Sequence, residues 1–162
     1  MVDATLSIRR LDGDAEAAAC ATIMSTSEPW LTLGRDFERC HALVTDPSRE
    51  VYVASNGGEV VGFLILTMQG AFTGYIQTIA VRNDSRGRGL GTALIQFAEK
   101  RIFADSPNVF MCVSSFNQRA KALYLRLGYE VVGELVDFVV RGHSEWLLRK
   151  TVAPLSEFRR VK

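Results

Sequence analysis

Residues 79–94 read Ile-Ala-Val-Arg-Asn-Asp-Ser-Arg-Gly-Arg-Gly-Leu-Gly-Thr-Ala-Leu, an apolar run that leads into a glycine-rich loop and then into an amphipathic helix. The first turn of a helix carries unpaired N–H groups and the positive end of the helix dipole. Glycines let a phosphate come close to the backbone because no Cβ stands in the way. Arg86 and Arg88 can add charge-assisted hydrogen bonds. These features predict an anion-binding site at the start of the helix.

Other interpretations compete for this loop. A P-loop requires G-x-x-x-x-G-K-[ST], and the loop contains neither Lys-Ser nor Lys-Thr. The dinucleotide-binding pattern G-x-G-x-x-G follows the first strand of its domain, whereas residues 87–91 have a different spacing and lie in the middle of the chain. A third interpretation is a glycine-rich turn that only caps the helix, with solvated arginines. The loop taken alone leaves this third interpretation open.

Apolar runs on both sides of the loop predict an α+β (mixed α/β) domain around one largely antiparallel sheet. The expected order is a strand, two helices, three strands, a helix, a strand, a helix and two strands. Asn56-Gly57-Gly58 favours a hairpin between two β-prone runs. The predicted strands span residues 6–10, 50–55, 59–68, 74–81, 109–113, 129–140 and 144–149, and the predicted helices span residues 14–24, 36–44, 90–103 and 117–127.

Composition limits the class of protein. The chain has 162 residues, of which 48% are hydrophobic and 23% charged, as in one globular domain. A formal net charge of +1 gives no general attraction to nucleic acid or to a membrane, so neither is an expected partner. We assign residues 1–152 to the domain and residues 153–162 to a C-terminal tail, which is either mobile or packed on a neighbouring chain.

Targeting signals and cysteine spacing add further exclusions. No signal peptide or membrane-length apolar run is recognisable, so a cytoplasmic location is expected. Cys20, Cys40 and Cys112 form no C-x-x-C pair, which disfavours a disulfide framework and a zinc site. We expect buried free thiols and no metal.

Two motifs in the second half of the chain resemble those of the GNAT superfamily of N-acetyltransferases. Residues 86–91, Arg-Gly-Arg-Gly-Leu-Gly, fit the family's [Q/R]-x-x-G-x-[G/A] between its fourth strand and third helix. The second pattern, Asn then Ala then Tyr then Gly-Tyr, is matched by Asn117, Ala120, Tyr124 and Gly128-Tyr129. Because both motifs occur in register and the element order agrees over nearly the whole chain, the resemblance is specific.

The resemblance implies a single GNAT-like domain with helices on both faces of the sheet and acetyl-coenzyme A as acyl donor. The donor would lie in a V-shaped opening where the fourth and fifth strands splay apart. Main-chain groups of Ile79 and Val81 would bind its pantetheine arm, and the amides of residues 88–91 with Thr92 its pyrophosphate. The implied cofactor-binding residues are Ile79, Ala80, Val81, Arg86, Gly87, Arg88, Gly89, Leu90, Gly91, Thr92, Asn117 and Tyr124. Asn117 could instead be only the N-cap of its helix, and Thr92 a plain helix residue.

The resemblance also implies a catalytic role for Tyr124. In the family, a tyrosine at this position points at the cofactor sulfur, where a phenol can protonate or hydrogen-bond the leaving thiolate. A tyrosine on an apolar helix face is more usually part of the core, with its hydroxyl satisfied. The motif match favours the catalytic interpretation.

The general base is not evident from the sequence. Some family members place a glutamate on the fourth strand, but residues 74–81 contain no carboxylate, so that role cannot be transferred. Glu28 is the preferred candidate because the loop between the first helices shapes the acceptor pocket in the family; its alternative is a solvated helix-end carboxylate. Trp30 in the same loop could be a pocket wall or a core anchor. The remaining candidates are Glu38, His41, His143 and Glu145.

These residues lead to one main hypothesis, an amine N-acetyltransferase that works by direct attack in a ternary complex. Without a strong base, an α-amine with a pKa of ~7.7–8.0 is an easier acceptor than a lysine amine with a pKa of ~10.4. Protein N-termini, amino acids and small amines are therefore the favoured acceptors. A non-catalytic acyl-coenzyme A sensor and a nucleotide-binding protein are the alternatives. Edge strands near the C-terminus can pair between two copies, so a homodimer is one expected assembly.

Overall fold

A computed structural model describes residues 5–160, and one seven-stranded sheet runs through its centre in the order β1-β2-β3-β4-β5-β7-β6. The predicted order of elements is confirmed. The strands are β1 Leu6–Arg10, β2 Glu50–Asn56, β3 Glu59–Thr67, β4 Tyr75–Val81, β5 Asn108–Ser114, β6 Glu130–Leu135 and β7 Glu145–Thr151. The helices are α1 Gly13–Ser25, α2 Phe37–Val44, α3 Leu90–Phe103 and α4 Gln118–Arg126, with a short 3-10 turn at Asn83–Ser85.

The hairpin between β2 and β3 follows from its glycines. Asn56 pairs with Glu59, and the two residues between them have φ values of +59° at Gly57 and +85° at Gly58. A two-residue turn of this kind requires positive φ at both central positions, which glycine adopts without steric cost. The turn therefore fixes the register between β2 and β3, and β3 in turn pairs with β4.

The parallel pair β4–β5 is short and then opens. Tyr75 pairs with Phe110 and Ile76 with Met111, and the ladder stops there. Strand β5 instead pairs along its whole length with β7. The second half of β4 therefore separates from β5, and the expected V-shaped opening lies between residues 77–81 and 112–114.

Apolar side chains on the two faces of the sheet form two separate cores. The core beneath α3 includes Leu94 and Met111, and the core beneath α1 and α2 includes Cys20 and Phe63. All four side chains are buried, and burial of a large apolar side chain stabilises the fold by about 1.5–3 kcal/mol. The V lies between these two packed layers, so it can open toward both faces.

The predicted strand over residues 129–140 is wrong beyond Leu135. The pairing with β7 ends where Leu135 meets Glu145, and the chain then turns. Asp137 has a φ of 53°, and its carboxylate accepts a hydrogen bond of 2.7 Å from the Gly142 N–H. The β-branched residues after Leu135 therefore belong to a loop, which we call the 136–144 loop, rather than to the sheet.

The ends of the chain are described only in part. Residues 1–4 of the predicted domain and residues 161–162 of the predicted tail lie outside the described range. Residues 153–160 contain no helix or strand, and the boundary at residue 152 stays a prediction. Strand β6 forms one edge of the sheet with Val131 and Val132 exposed, and the expected homodimer also stays a prediction. Within residues 5–160, no helix has the length and apolar character needed to cross a membrane.

Candidate active site

Two cavities meet in the V between β4 and β5. The first, which we call the loop cavity, has a volume of about 580 Å³ and lies between the loop that precedes α3 and the helix α4. The second, which we call the sheet cavity, has a volume of about 340 Å³ and lies between the V and the elements α1 and α2. Five residues line both cavities: Pro29, Trp30, Ile79, Asn117 and Tyr124.

The loop cavity contains the predicted anion-binding site. Gly89 is the N-cap of α3 and makes no side-chain cap, and the first hydrogen bond of the helix runs from the Ala93 N–H to the Gly89 carbonyl oxygen at 3.0 Å. The N–H groups of the three preceding residues, 90–92, therefore have no partner within the helix. These donors lie on the lining of the loop cavity, at the positive end of a helix of fourteen residues.

The glycines of this loop serve two different needs. Gly87 and Gly89 have φ values of +75° and +80°, a conformation in which most side chains are strained. Gly91 has ordinary helical geometry, and a Cβ placed on it would meet only the Leu123 side chain at 3.9 Å. Gly91 thus keeps the cavity open, whereas Gly87 and Gly89 make the turn.

The two arginines of the motif differ in position. Arg86 lines the loop cavity, and its Nε donates a hydrogen bond of 3.2 Å to the Val81 carbonyl oxygen at the end of β4. Arg88 is exposed and lines neither cavity. Every other residue of the predicted cofactor set lines the loop cavity, although the Leu90 side chain is buried in the core beneath α3.

Tyr124 lies on α4 at the junction of the two cavities. Its ring packs edge-on against Tyr129, with 6.2 Å between the ring centroids. Its hydroxyl forms no hydrogen bond with any group in residues 5–160, unlike the satisfied hydroxyl expected of a core tyrosine. Burial raises the pKa of Tyr124 to about 12, so the phenol is protonated at neutral pH.

Asn117 combines two positions that the sequence left as alternatives. It is the N-cap of α4, where its Oδ1 accepts a hydrogen bond of 3.3 Å from the Ala120 N–H. It also lines both cavities beside Tyr124. Because the cap uses only the side-chain oxygen, the amide nitrogen of Asn117 remains available to a bound molecule.

The preferred base candidate, Glu28, lies on the loop cavity and does not line the sheet cavity. Its side chain is exposed, and its carboxylate accepts a hydrogen bond of 3.1 Å from the Thr32 N–H. This arrangement resembles the alternative of a solvated helix-end carboxylate, except that Glu28 caps a turn after α1 rather than the end of a helix. Trp30, two residues later, lines both cavities as a wall.

The other candidate bases are spread over the molecule. Glu38 is exposed on α2, and His41 stacks on Phe37 with 5.7 Å between the ring centroids; neither lines a cavity. His143 packs edge-on against Phe116 at 5.1 Å and is also outside both cavities. Glu145 alone of the five candidates lines the sheet cavity.

Glu145 is the first residue of β7 and is only 4% exposed. It pairs in register with Ser114 of β5, and the Ser114 hydroxyl donates a hydrogen bond of 2.7 Å to Glu145 Oε1. Burial raises the pKa of Glu145, which the Ser114 hydrogen bond and the nearby His143 counteract in part. The sequence signal for this site was a carboxylate at the start of an apolar strand, but its partner lies 31 residues away.

Sequence reasoning missed three further groups of the sheet cavity: Arg35, Tyr75 and Cys112. Burial raises the pKa of the Tyr75 hydroxyl, and the neighbouring Cys112 thiol raises it further. Arg35 and Glu145 are the charged residues that line this cavity in the described part of the chain. Within residues 5–160, no group of three or more His, Cys, Asp and Glu side chains could hold a metal ion.

Comparison with known proteins relates this arrangement to one family. Residues 16–129 match the sequence profile of the acetyltransferase (GNAT) family. The chain is 36% identical over 80 residues to an uncharacterized N-acetyltransferase of Methanocaldococcus jannaschii, a segment that covers 48% of this chain and 51% of that protein. It is 34% identical over 103 residues to the L-methionine sulfoximine/L-methionine sulfone acetyltransferase of Pseudomonas aeruginosa, which covers 60% of this chain and 59% of that protein. The matched segments thus span between 51% and 59% of the length of these relatives.

A solved structure shares the fold. The aminoglycoside 6'-N-acetyltransferase complexed with coenzyme A superposes on this chain with a TM-score of 0.75 at 18% sequence identity. The superposition covers 91% of this chain and 98% of that one. At this level of identity the likeness concerns the fold of the sheet and its helices.

Proposed function

The chain belongs to the acetyltransferase (GNAT) family, and on this premise we propose that it transfers the acetyl group of acetyl-coenzyme A to a primary amine by direct attack in a ternary complex. The observation that carries the proposal is the meeting of two cavities at Tyr124 in the V between β4 and β5. A donor and an acceptor can each occupy one cavity, and their reactive groups then face each other at the junction.

Acetyl-coenzyme A fits the chemistry of the loop cavity. The free N–H groups at the start of α3 and the side chain of Arg86 suit its pyrophosphate, and the open space at Gly91 lets the phosphates approach. The half of β4 that does not pair with β5 offers main-chain groups of residues 79–81 to the amides of the pantetheine arm. Asn117 can bond the same arm through its free amide nitrogen.

Tyr124 is the proposed proton donor to the leaving thiolate. Its hydroxyl is protonated and has no other hydrogen-bond partner in the described part of the chain. It can therefore donate a hydrogen bond, and then its proton, to the sulfur atom as negative charge develops there. A positioned acid of this kind contributes ~10²–10⁴-fold to the rate. The interaction is made chiefly in the transition state, where it accelerates the chemical step.

The sheet cavity supports a small acceptor. Its volume of about 340 Å³ is near the lower end of the range for small-molecule sites. The Pseudomonas aeruginosa relative is named for amino-acid derivatives, which carry an α-amine, and the structural neighbour for an aminoglycoside. An amino acid or another small primary amine is accordingly the proposed acceptor class. A protein could be an acceptor only if its N-terminal residue alone entered the sheet cavity.

Two measurements test this function. Millimolar acetyl-coenzyme A should raise the thermal midpoint, because a ligand at a hundred times its dissociation constant adds ~2.7 kcal/mol of stability. A panel of L-methionine sulfone, spermidine, an aminoglycoside and a short peptide should then yield thiol release with at least one amine. Binding without turnover of any amine would favour the acyl-coenzyme A sensor. Absence of binding by folded protein would contradict the proposal.

A further inference from the structure

The sheet cavity holds a buried carboxylate that the proposed donor site does not use. Glu145 lies at the wall of this cavity, across β5 from the opening of the V, and only 4% of its surface is exposed. Glu145 Oε1 accepts the hydrogen bond of the Ser114 hydroxyl at 2.7 Å, while Oε2 receives none from residues 5–160. Among residues 5–160, Oε2 is not one of the fully buried polar atoms that lack a partner, so it has access to the cavity, where a ligand or water can donate a hydrogen bond to it.

No charged partner satisfies Glu145 within the described part of the chain. None of the ion pairs between residues 5 and 160 includes it. Four other titratable or charged groups line the cavity with it, Tyr75 on β4, Cys112 on β5, Arg35 before α2 and Tyr124 on α4, and His143 in the loop before β7 interacts with it electrostatically from outside the cavity. Because Glu145 is buried, the attraction between its carboxylate and a cation beside it is screened less than it would be at an exposed carboxylate.

The rest of the cavity fits the body of a small amine, and Arg35 is its other charged lining residue in the described part of the chain. Its wall on the helix side is apolar, formed by Met24, Trp30, Leu33 and Leu43, and the 136–144 loop adds Phe138 and Val139. A small primary amine would therefore place its ammonium group at Glu145, the carboxylate of this cavity, and its apolar portion against this wall.

We propose that Glu145 receives the acceptor as an ammonium ion and takes up the proton that the amine must lose before it attacks. This proposal rests on the proposed acetyltransferase function and deepens it, because it names the acceptor-binding group. Neither family motif contains this residue, and Glu28, the base candidate that the sequence favours, lies on the loop cavity instead.

The ammonium gives one proton to Glu145, and the nitrogen lone pair then forms a C–N bond to the acetyl carbon. When the tetrahedral intermediate collapses, the C–S bond breaks and sulfur leaves with its electron pair. Sulfur takes the Tyr124 hydroxyl proton, and the tyrosine oxygen regains a proton from the nitrogen. The products are the acetylated amine, the coenzyme A thiol and protonated Glu145, which returns its proton to water.

The first test measures amine binding without turnover. The probe is n-butylammonium chloride, titrated into isotope-labelled protein saturated with coenzyme A, with the amide signals of Ser114 and Glu145 as the readout. Glu145→Gln keeps the shape and the acceptor for the Ser114 hydroxyl, so it should fold and yet bind the probe at least ~10-fold more weakly. Glu134→Gln, an exposed carboxylate on β6, is the matched control and should bind like the wild type.

The second test is the pH profile of kcat/KM for whichever panel amine is acetylated. The base must be ionised, so activity should rise with pH through the pKa of Glu145, and this limb should vanish in Glu145→Gln with a fall of ~10²-fold or more. Ser114→Ala keeps the carboxylate but removes the hydrogen bond that lowers its pKa, so the limb should move to higher pH. If the role of Glu145 were purely structural, the rise of kcat/KM with pH would stay at the wild-type position in both Glu145→Gln and Ser114→Ala.

The outcomes separate the two proposals. Probe binding that is equal in wild type and Glu145→Gln, or wild-type protein that does not bind the probe, overturns the role of Glu145. An unchanged pH limb in Glu145→Gln overturns it as well, while acetylation of the amine upholds the acetyltransferase function. Probe binding that depends on Glu145, without acetylation of any amine, overturns the function and leaves the ammonium site standing.

Discussion

The backbone of Gly74 lies directly against that of Asn108. A Cβ built on Gly74 would come within 2.5 Å of the Asn108 carbonyl oxygen and of the Ile102 side chain, and the Gly74 carbonyl oxygen accepts a hydrogen bond of 3.0 Å from the Phe110 N–H. This contact immediately precedes the two residue pairs that join β4 to β5. It closes the narrow end of the V, from which both cavities open.

Gly74→Ala should therefore destabilise the fold through a backbone clash. Overpacking typically costs about 1–3 kcal/mol, to which the strain of an alanine at positive φ adds. Gly70→Ala is the matched control, because its φ of +92° is nearly that of Gly74 at +91° while no atom lies within 4 Å of its Cβ. Urea unfolding of both variants measures the difference, and equal losses of stability would contradict the clash.

Tyr124→Phe should lower turnover by ~10²–10⁴-fold and leave the affinity for acetyl-coenzyme A nearly unchanged. Stability should also change little, because the lost hydroxyl has no hydrogen-bond partner in residues 5–160. Tyr129→Phe is the informative control: its hydroxyl donates a hydrogen bond of 3.0 Å to the Glu99 carboxylate, so this variant should lose about 1.5–3 kcal/mol of stability. Single-turnover acetylation beside chemical unfolding distinguishes the two effects, and near-wild-type turnover of Tyr124→Phe would remove its role as an acid.

Gly91→Val should weaken binding of coenzyme A by at least ~10-fold. The new side chain would fill the space in front of the α3 N–H groups, while the backbone there is helical and accepts valine without a propensity cost, because valine favours a helix slightly more than glycine does. Gly133→Val on β6 lies outside both cavities and should leave affinity unchanged. Isothermal titration measures both, and equal affinity of Gly91→Val and the wild type would show that the phosphates lie elsewhere.

Cys112 should be the first cysteine to react with a thiol reagent, and it should react slowly. Cys20 and Cys40 are fully buried, whereas Cys112 is partly exposed on the sheet cavity. Burial raises the pKa of all three thiols, that of Cys20 to about 12, so little thiolate exists at neutral pH and labelling should accelerate as pH rises. Mass spectrometry locates the label, and n-butylammonium chloride should slow its appearance at Cys112. First labelling at Cys20 would contradict the described burial.

The sequence predicted local structure well because its signals were local. The bounds of α3, residues 90–103, followed from one amphipathic face and from the glycines before it. The strand predicted over residues 129–140 failed because β-branched residues favour extended backbone but cannot supply a partner strand. Only the pairing with β7, which ends at Leu135, decides where β6 stops.

The candidate site was predictable on the donor side and much less so on the acceptor side. The loop before α3 is contiguous, so residues 86–92 could be read as one motif. The sheet cavity is lined by single side chains from separate elements. Glu145 lies on its wall because β7 pairs with β5 in the register that sets Glu145 opposite Ser114. A pairing across 31 residues has no signature in either segment alone, which is why Glu145 was only one of several candidates.

The two cavities are lined by nearly separate segments of the chain, so the lining of one can change in evolution without the other. Residues 85–87 and 89–92 line only the loop cavity, whereas the 136–144 loop, through Phe138 and Val139, lines only the sheet cavity. Substitutions or insertions in the second segment can thus accumulate while the first stays constant. A descendant of this gene could acquire a new acceptor through a handful of changes in one exposed loop and inherit its acyl donor intact.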